Sequence, residues 1–256
     1  MAGPLSSRPL AAQAPAVMSP AQESAAIRSL IVELGAKNNK VRNRALRALG
    51  DYGCDAFEPL VNVVLSDANP IRRMGAATLL GVLGGDKVID PLAVALRDRD
   101  HNVRMAAIVA YANLHDVRTL ELVLGSLQDS YHGVRAWAAT ALGRIGDKRA
   151  ISRLVSSLHD PDIGVRIQAA AALGQLGDQE AVEPLIEALQ DVNPIVRALA
   201  ARSLGSLGDT RAVPFLDQML NDTDYLDDFY SSHQTVADEA RDAIRAIRRR
   251  SKEGGG

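Results

Sequence analysis

The chain has 256 residues, a formal net charge of −2 and 47% apolar residues, few of them aromatic. Such a length holds one large domain or two ordinary ones, and the weak net charge supplies no global field toward nucleic acid or acidic membranes. The single cysteine, Cys54, rules out an intramolecular disulfide or a Cys-rich metal site, and no apolar run reaches the ~18 residues of a membrane-spanning helix.

The opening stretch MAGPLSSRPLAAQAPAVMSP lacks a basic region leading into an unbroken apolar run, so no secretory signal is expected. Residues 1–20, with four prolines, read as a flexible arm, and an organelle transit peptide is the second reading. The protein is expected to be cytoplasmic. From residue 21 to residue 250 the chain repeats itself. DPDIGVRIQAAAALGQLGD at Asp160–Asp178 is followed 31 residues later by DVNPIVRALAARSLGSLGD at Asp191–Asp209. One column of this 31-residue period holds Arg42, Arg73, Arg104, Arg135, Arg166 and Arg197; another holds Asp67, Asp98, Asp129, Asp160, Asp191 and Asp222. Residues 251–256 read as a disordered tail.

Each unit carries two helical patterns. The first resembles EAVEPLIEAL at Glu180–Leu189, with Val182, Leu185, Ile186 and Leu189 at helical spacing. A turn opened by the column Asp follows, and two residues later most units place a capping residue: Asn69, Asp100, Asp162, Asn193 or Asp224. The second helix runs from Val or Ile and Arg into small residues. Gly53, Gly84, Gly146, Gly177 and Gly208 read as its C-cap. Gly50, Gly81, Gly143, Gly174 and Gly205 fall inside its last turn, where they cost helix propensity and so imply a close backbone approach. A two-helix unit of 31 residues cannot bury its own apolar stripe, but a stack of copies can. Seven pairs are predicted. The last carries an insertion of about nine residues relative to this period, within residues 221–235.

The pattern D-x-x-x-x-V-R-x-x-A-A-x-x-L-G-x-L-G-D resembles HEAT repeats of the short bacterial type found in phycobilisome-lyase-like proteins. The resemblance covers residues 21–250 and implies an all-α fold, a right-handed α-solenoid whose second helices line the concave side. It also implies that Asp67, Arg73, Asp98, Arg104, Asp129, Arg135, Asp160, Arg166, Asp191 and Arg197 form a structural ladder through the stack. Their repetition already speaks against a catalytic pair, which is needed once.

Several other chemistries find no support in the sequence. No His is followed by Glu, and no H-E-x-x-H, P-loop or G-x-S-x-G context occurs. His101, His132 and His159 fall at turns between helices, and His115 takes the place of a C-cap glycine. No cofactor or metal is expected. Arg42, Arg44 and Arg47 cluster near one end of the chain and Arg245, Arg248, Arg249 and Arg250 near the other, with no basic stripe between them, so no nucleic-acid track is expected.

Two features remain for function. The two positions after each ladder Arg vary between repeats and are expected to face the groove, giving Met74, Met105, Trp137, Ile167 and Leu199 as binding residues; the alternative places them in the seams between repeats. The insertion NDTDYLDDFYSSHQT carries Tyr225, Phe229 and Tyr230 among four Asp residues, as a contact loop or as a cap on the last apolar face. The expected function is a non-enzymatic scaffold that binds another protein or a peptide segment, as a monomer or in a hetero-complex, without membrane insertion. The alternative, supplied by the resemblance, is a bilin or tetrapyrrole lyase or a lyase-like maturation subunit.

Overall fold

The computed structural model describes residues 18–114, 116–226 and 234–253. Among these residues fourteen α-helices form seven pairs: α1 (Pro20–Leu34) with α2 (Asn39–Asp51), α3 (Phe57–Ser66) with α4 (Pro70–Leu83), α5 (Ile89–Ala95) with α6 (His101–Leu114), α7 (Leu120–Ser126) with α8 (His132–Ile145), α9 (Ile151–Ser157) with α10 (Ile163–Leu176), α11 (Val182–Ala188) with α12 (Pro194–Leu207), and α13 (Val213–Gln218) with α14 (Val236–Glu253). There is no β-strand among the described residues. The chain is an all-α solenoid. Helix α14 continues through Ser251–Glu253, so helix replaces the first half of the expected tail.

Local chemistry starts and stops the elements. Asn69, Asp100, Asp162 and Asn193 accept the backbone N–H two residues on, at Ile71, Asn102, Gly164 and Ile195, and so cap the second helices. Asp224 does not cap α14, because the insertion separates it from that helix. Thr235 and Asp238 take over, each accepting the other's backbone N–H. Gly146 and Gly208, at φ 76° and 77°, supply the left-handed residue that ends α8 and α12.

From the second repeat on, the second helices pack against one another along their length, while consecutive first helices meet over little of theirs. A layer spaced more tightly than its partner lies on the inside of the bend, so the second helices form the concave layer. The glycine column explains the tight spacing. A Cβ on Gly81 would lie 2.4 Å from the Ala110 Cβ and 2.7 Å from its Cα; one on Gly174 would lie 2.4 Å from the Ser203 hydroxyl; one on Gly205 would lie 2.8 Å from the Ala243 Cα. Each of these glycines sits against a small residue of the next second helix. Gly50 is the exception, since its nearest neighbour would be a Leu79 methyl at 4.0 Å.

The two charged columns bond across the seams. Arg73 Nε and Nη2 donate to both carboxylate oxygens of Asp98, in the next repeat, at 2.6 and 2.8 Å, while its Nη1 donates to the Asp67 carbonyl of its own turn at 2.8 Å. The same three bonds recur for Arg104 with Asp129, Arg135 with Asp160, Arg166 with Asp191 and Arg197 with Asp222. Each acceptor Asp also takes the N–H two residues on, at Asp100, Tyr131, Asp162, Asn193 and Asp224. The first repeat breaks the pattern. Arg42 keeps its own-turn bond, to the Ala36 carbonyl, but its other donor goes to Asn39, and Asp67 is held by Arg72 of its own repeat.

Removing one partner of such a nearly buried pair strands the other, at about 3–5 kcal/mol, whereas an exposed pair contributes at most ~1 kcal/mol. Arg135→Leu is therefore expected to lower the urea midpoint far more than Arg44→Leu, whose bridge to Glu33 is largely exposed. Equal midpoints would refute the ladder's role. Burial pushes the Asp98, Asp129, Asp160 and Asp191 carboxyls up, but the Arg hydrogen bond and the backbone N–H together hold each below the usual carboxylate range. A depressed folded pKa adds stability above the unfolded value of ~3.9 and loses it as pH falls through the folded value. The wild-type midpoint should thus fall steeply below about pH 4, and less steeply in Arg135→Leu.

The glycine column makes an independent test with opposite signs. Gly81→Ala should destabilise the protein by ~1–3 kcal/mol through the clash with Ala110. Gly50→Ala meets nothing closer than 4.0 Å and should stabilise by up to ~1 kcal/mol through helix propensity. Thermal melts showing both substitutions to be equally tolerated would contradict the close-approach account.

Candidate surface of the concave layer

With about 100° per residue, the ladder Arg fixes which side of each second helix is free. The glycine column, eight residues on, and the small column, six residues on, point about 80° and 240° from it and fill the two seams. The direction opposite the Arg belongs to residues two before it and two, five and nine after it. In the first repeat these are Lys40, Arg44, Arg47 and Asp51, all exposed; in the third, Asn102, Ala106, Val109 and Asn113; in the fourth, Gly133, Trp137, Thr140 and Arg144; in the fifth, Gly164, Gln168, Ala171 and Gln175. From the second to the fifth repeat Arg144 is the one charged residue in these four columns.

This geometry corrects part of the sequence reading. The position just after the Arg lies about 100° round, close to the glycine side. Met74 and Met105 are therefore half-buried, and Ile167 is buried, at 7% exposure. Leu199, two after its Arg, leans toward the small-column seam and is also buried, at 7%. Ile167 and Leu199 are seam residues and leave the binding set. Trp137 occupies the same register as Leu199, yet remains 42% exposed.

The surroundings of Trp137 contain an arrangement that the repeat pattern hides. Tyr131 stands where other repeats have a capping Asn or Asp, and it caps nothing with its side chain. Its ring lies over Gly133: a Cβ there would sit 2.7 Å from a Tyr131 ring carbon and 3.4 Å from Met105 Sδ. The Tyr131 ring also lies 4.0 Å from the His101 ring and 4.7 Å from the His132 ring, centroid to centroid, tilted against both. His132 Nδ1 is 3.2 Å from Asp162 Oδ2. His101 and His132, two of the three turn histidines, thus flank the Tyr131 ring at the start of α8, while His159 is exposed. The signal available in the sequence was Tyr131 itself, an aromatic in a capping column. His115 lies outside the described residues.

At the other end, the feet of the insertion are built into the stack. Tyr225 and Thr235 form an antiparallel bridge, Leu226 N–H donates to the Gln234 carbonyl at 3.0 Å, and Ala237 N–H donates to the Asp222 carbonyl at 3.0 Å. Leu226 is buried, and Asp222 and Asp224 both accept from Arg197. Tyr225 is 60% exposed. Phe229 and Tyr230 lie outside the described residues. Nearby, Arg202 grips the buried Glu239 with two hydrogen bonds of 3.1 and 2.6 Å, which ties α12 to α14. Among the described residues, no group of His, Cys, Asp and Glu is placed to hold a metal ion, and no helix is long and apolar enough to cross a membrane.

The family model for HEAT repeats matches residues 27–112, 89–164 and 151–228, and the chain belongs to that family. Among solved structures it is similar to an Escherichia coli protein, YibA, at 23% identity and a TM-score of 0.59, covering 91% of this chain and 98% of that one. It is also similar to Kap95 in a complex with Nup1, at 16% identity and a TM-score of 0.65, covering 93% of this chain and 38% of that one. A third likeness is to the complex of CpcE and CpcF of phycocyanin lyase from Nostoc, at 21% identity and a TM-score of 0.49, covering 95% of this chain and 100% of that one. No curated protein matches the chain.

Proposed function

We propose that the chain is a non-enzymatic binding scaffold that holds an extended segment of another protein along the concave faces of its second helices. The observation that carries this reading is Trp137, 42% exposed at the centre of a strip in which Arg144 is the one charged side chain. An exposed large aromatic on a rigid, nearly neutral surface is the kind of anchor that supplies a large share of binding energy at protein interfaces. Met105 and the Tyr131 ring extend the apolar surface on one side. Thr140 and Gln168, 3.0 Å apart, and Gln175 supply polar groups suited to a peptide backbone on the other. The fold's use in Kap95, solved with Nup1, agrees with a protein partner. No observation favours the tetrapyrrole-lyase reading.

The single tryptophan makes the test direct. Acrylamide should quench its fluorescence in the free protein. Trp137→Ala should leave the urea midpoint nearly unchanged, because the side chain is not part of the core. The same variant, used to capture partners from the source cells, should lose at least ~2 kcal/mol of affinity, or roughly thirtyfold, for the partners that wild type retains. A shielded tryptophan, or a folded variant that captures the same partners equally well, would show that the anchor has been misplaced.

A further inference from the structure

Resting on the groove reading above, we infer that the exposed face of α2 receives an acidic run of the same partner segment. The four free columns are uncharged from the second to the fifth repeat except for Arg144, but in the first they place Lys40, Arg44 and Arg47 together with a single acid, Asp51. These three line a surface cleft of about 510 Å³ with Asn43, Ala48 and Asp51. Among the described residues neither Lys40 nor Arg47 has an acidic partner; Arg44 pairs with Glu33, an exposed contact that a partner carboxylate competes with at little cost. Elsewhere on the concave layer the comparable cation Arg202 is gripped by Glu239. The chain's net charge of −2 makes this a local preference and not a property of the whole surface.

The extent of the patch selects the partner's chemistry. Lys40 and Arg47 are seven residues apart on one helix, about 10 Å, a span that two or three carboxylates of an extended peptide match. A nucleic-acid strand carries a phosphate roughly every 3.4 Å along its whole length and would run onto the second and third repeats, whose free columns are uncharged. The patch is continuous with the Trp137 strip. At about 8–10 Å between packed helices, three repeats separate α2 from α8 by about 24–30 Å. An extended chain covers that distance in roughly seven to nine residues. The partner segment therefore has its acidic run about eight residues from the apolar side chain that covers Trp137.

Fluorescein-labelled peptides of defined design test this on the full chain by anisotropy. One probe carries three Glu residues, eight uncharged polar residues and a terminal Leu-Leu pair; the second replaces Glu by Gln; the third shortens the spacer to three residues. The Glu probe should bind at least tenfold more tightly than the other two, and raised salt should weaken it most. Lys40→Glu with Arg47→Glu, both exposed substitutions whose melting point should match wild type, should abolish the tenfold advantage and leave the Gln probe unaffected. Trp137→Ala should weaken the Glu and Gln probes alike. If the Glu and Gln probes bind equally, if the charge-reversed variant keeps the advantage, or if no probe binds, the acidic-run proposal is overturned. If twelve residues of oligo-dT bind as tightly as the Glu probe and lose that binding in the charge-reversed variant, the patch is a nucleic-acid contact and the proposal is equally overturned. Loss of the advantage in the charge-reversed variant together with no effect of Trp137→Ala would uphold the α2 site and remove the groove anchor instead.

Discussion

The stack depends on one contact, the guanidinium that leaves a second helix and closes on the turn carboxylate of the next repeat. Arg73, Arg104, Arg135, Arg166 and Arg197 each satisfy three demands at once: a carbonyl of their own turn, and both oxygens of an Asp one seam away. That Asp in turn accepts the N–H that shapes its own turn. Charge-assisted, two-pronged bonds of this kind fix orientation as well as distance, so a register shift between neighbouring repeats would strand two nearly buried charges. Repeat units that bury no core alone are thereby locked at one angle to the next.

The glycine column adds the second constraint, distance. Gly81, Gly143, Gly174 and Gly205 let one second helix approach the small residues of the next, and the tight layer this creates becomes the concave side. Both constraints lapse at the same place. Between the first and second repeats Leu79 stands off Gly50, and Asp67 is held by Arg72 instead of Arg42. The opposite end is the reverse case. The seventh repeat keeps the Arg197 rung and the Gly205 approach, and adds the Arg202–Glu239 clasp and the bridged feet of the insertion.

The period, the helix pairs and the identity of the ladder residues were legible because a charged residue recurring at a fixed spacing survives any local variation. Which Arg meets which Asp was not legible, since the columns offer a partner six residues back as readily as one 25 ahead; only the carbonyl of the near turn and the carboxylate of the far one resolve it. Close approach at the glycines was legible from their cost to the helix, whereas the exception at Gly50 depends on Leu79, a residue 29 positions away. The groove columns were half legible. Variability pointed to Trp137, but it also pointed to Ile167 and Leu199, because variability does not distinguish a free face from the edge of a seam. The angle from the ladder Arg sets Ile167 apart, one residue on, whereas Trp137 and Leu199 share a register and differ in exposure. Tyr131 and its neighbouring histidines were hidden because Tyr131 replaces a capping residue that is Asn or Asp in the other repeats, and the histidines stand in a helix-start column that varies from Asn39 to Pro70 and Ile163.

A groove of defined shape exists only if the second to seventh repeats hold one another rigidly, and the ladder with the glycine seams is the stated reason that they do. Native-state hydrogen exchange measures this helix by helix. Both ends of a stack are exposed to fraying, so the comparison that matters is between the two terminal second helices. The account predicts that α14 amides in the Ala240–Ile247 core region are protected to nearly the level of α6 to α12 and open with them, while α2 amides exchange well ahead of the rest. Equal protection of α2 and α14, or interior helices that open one repeat at a time without regard to the rungs, would contradict it.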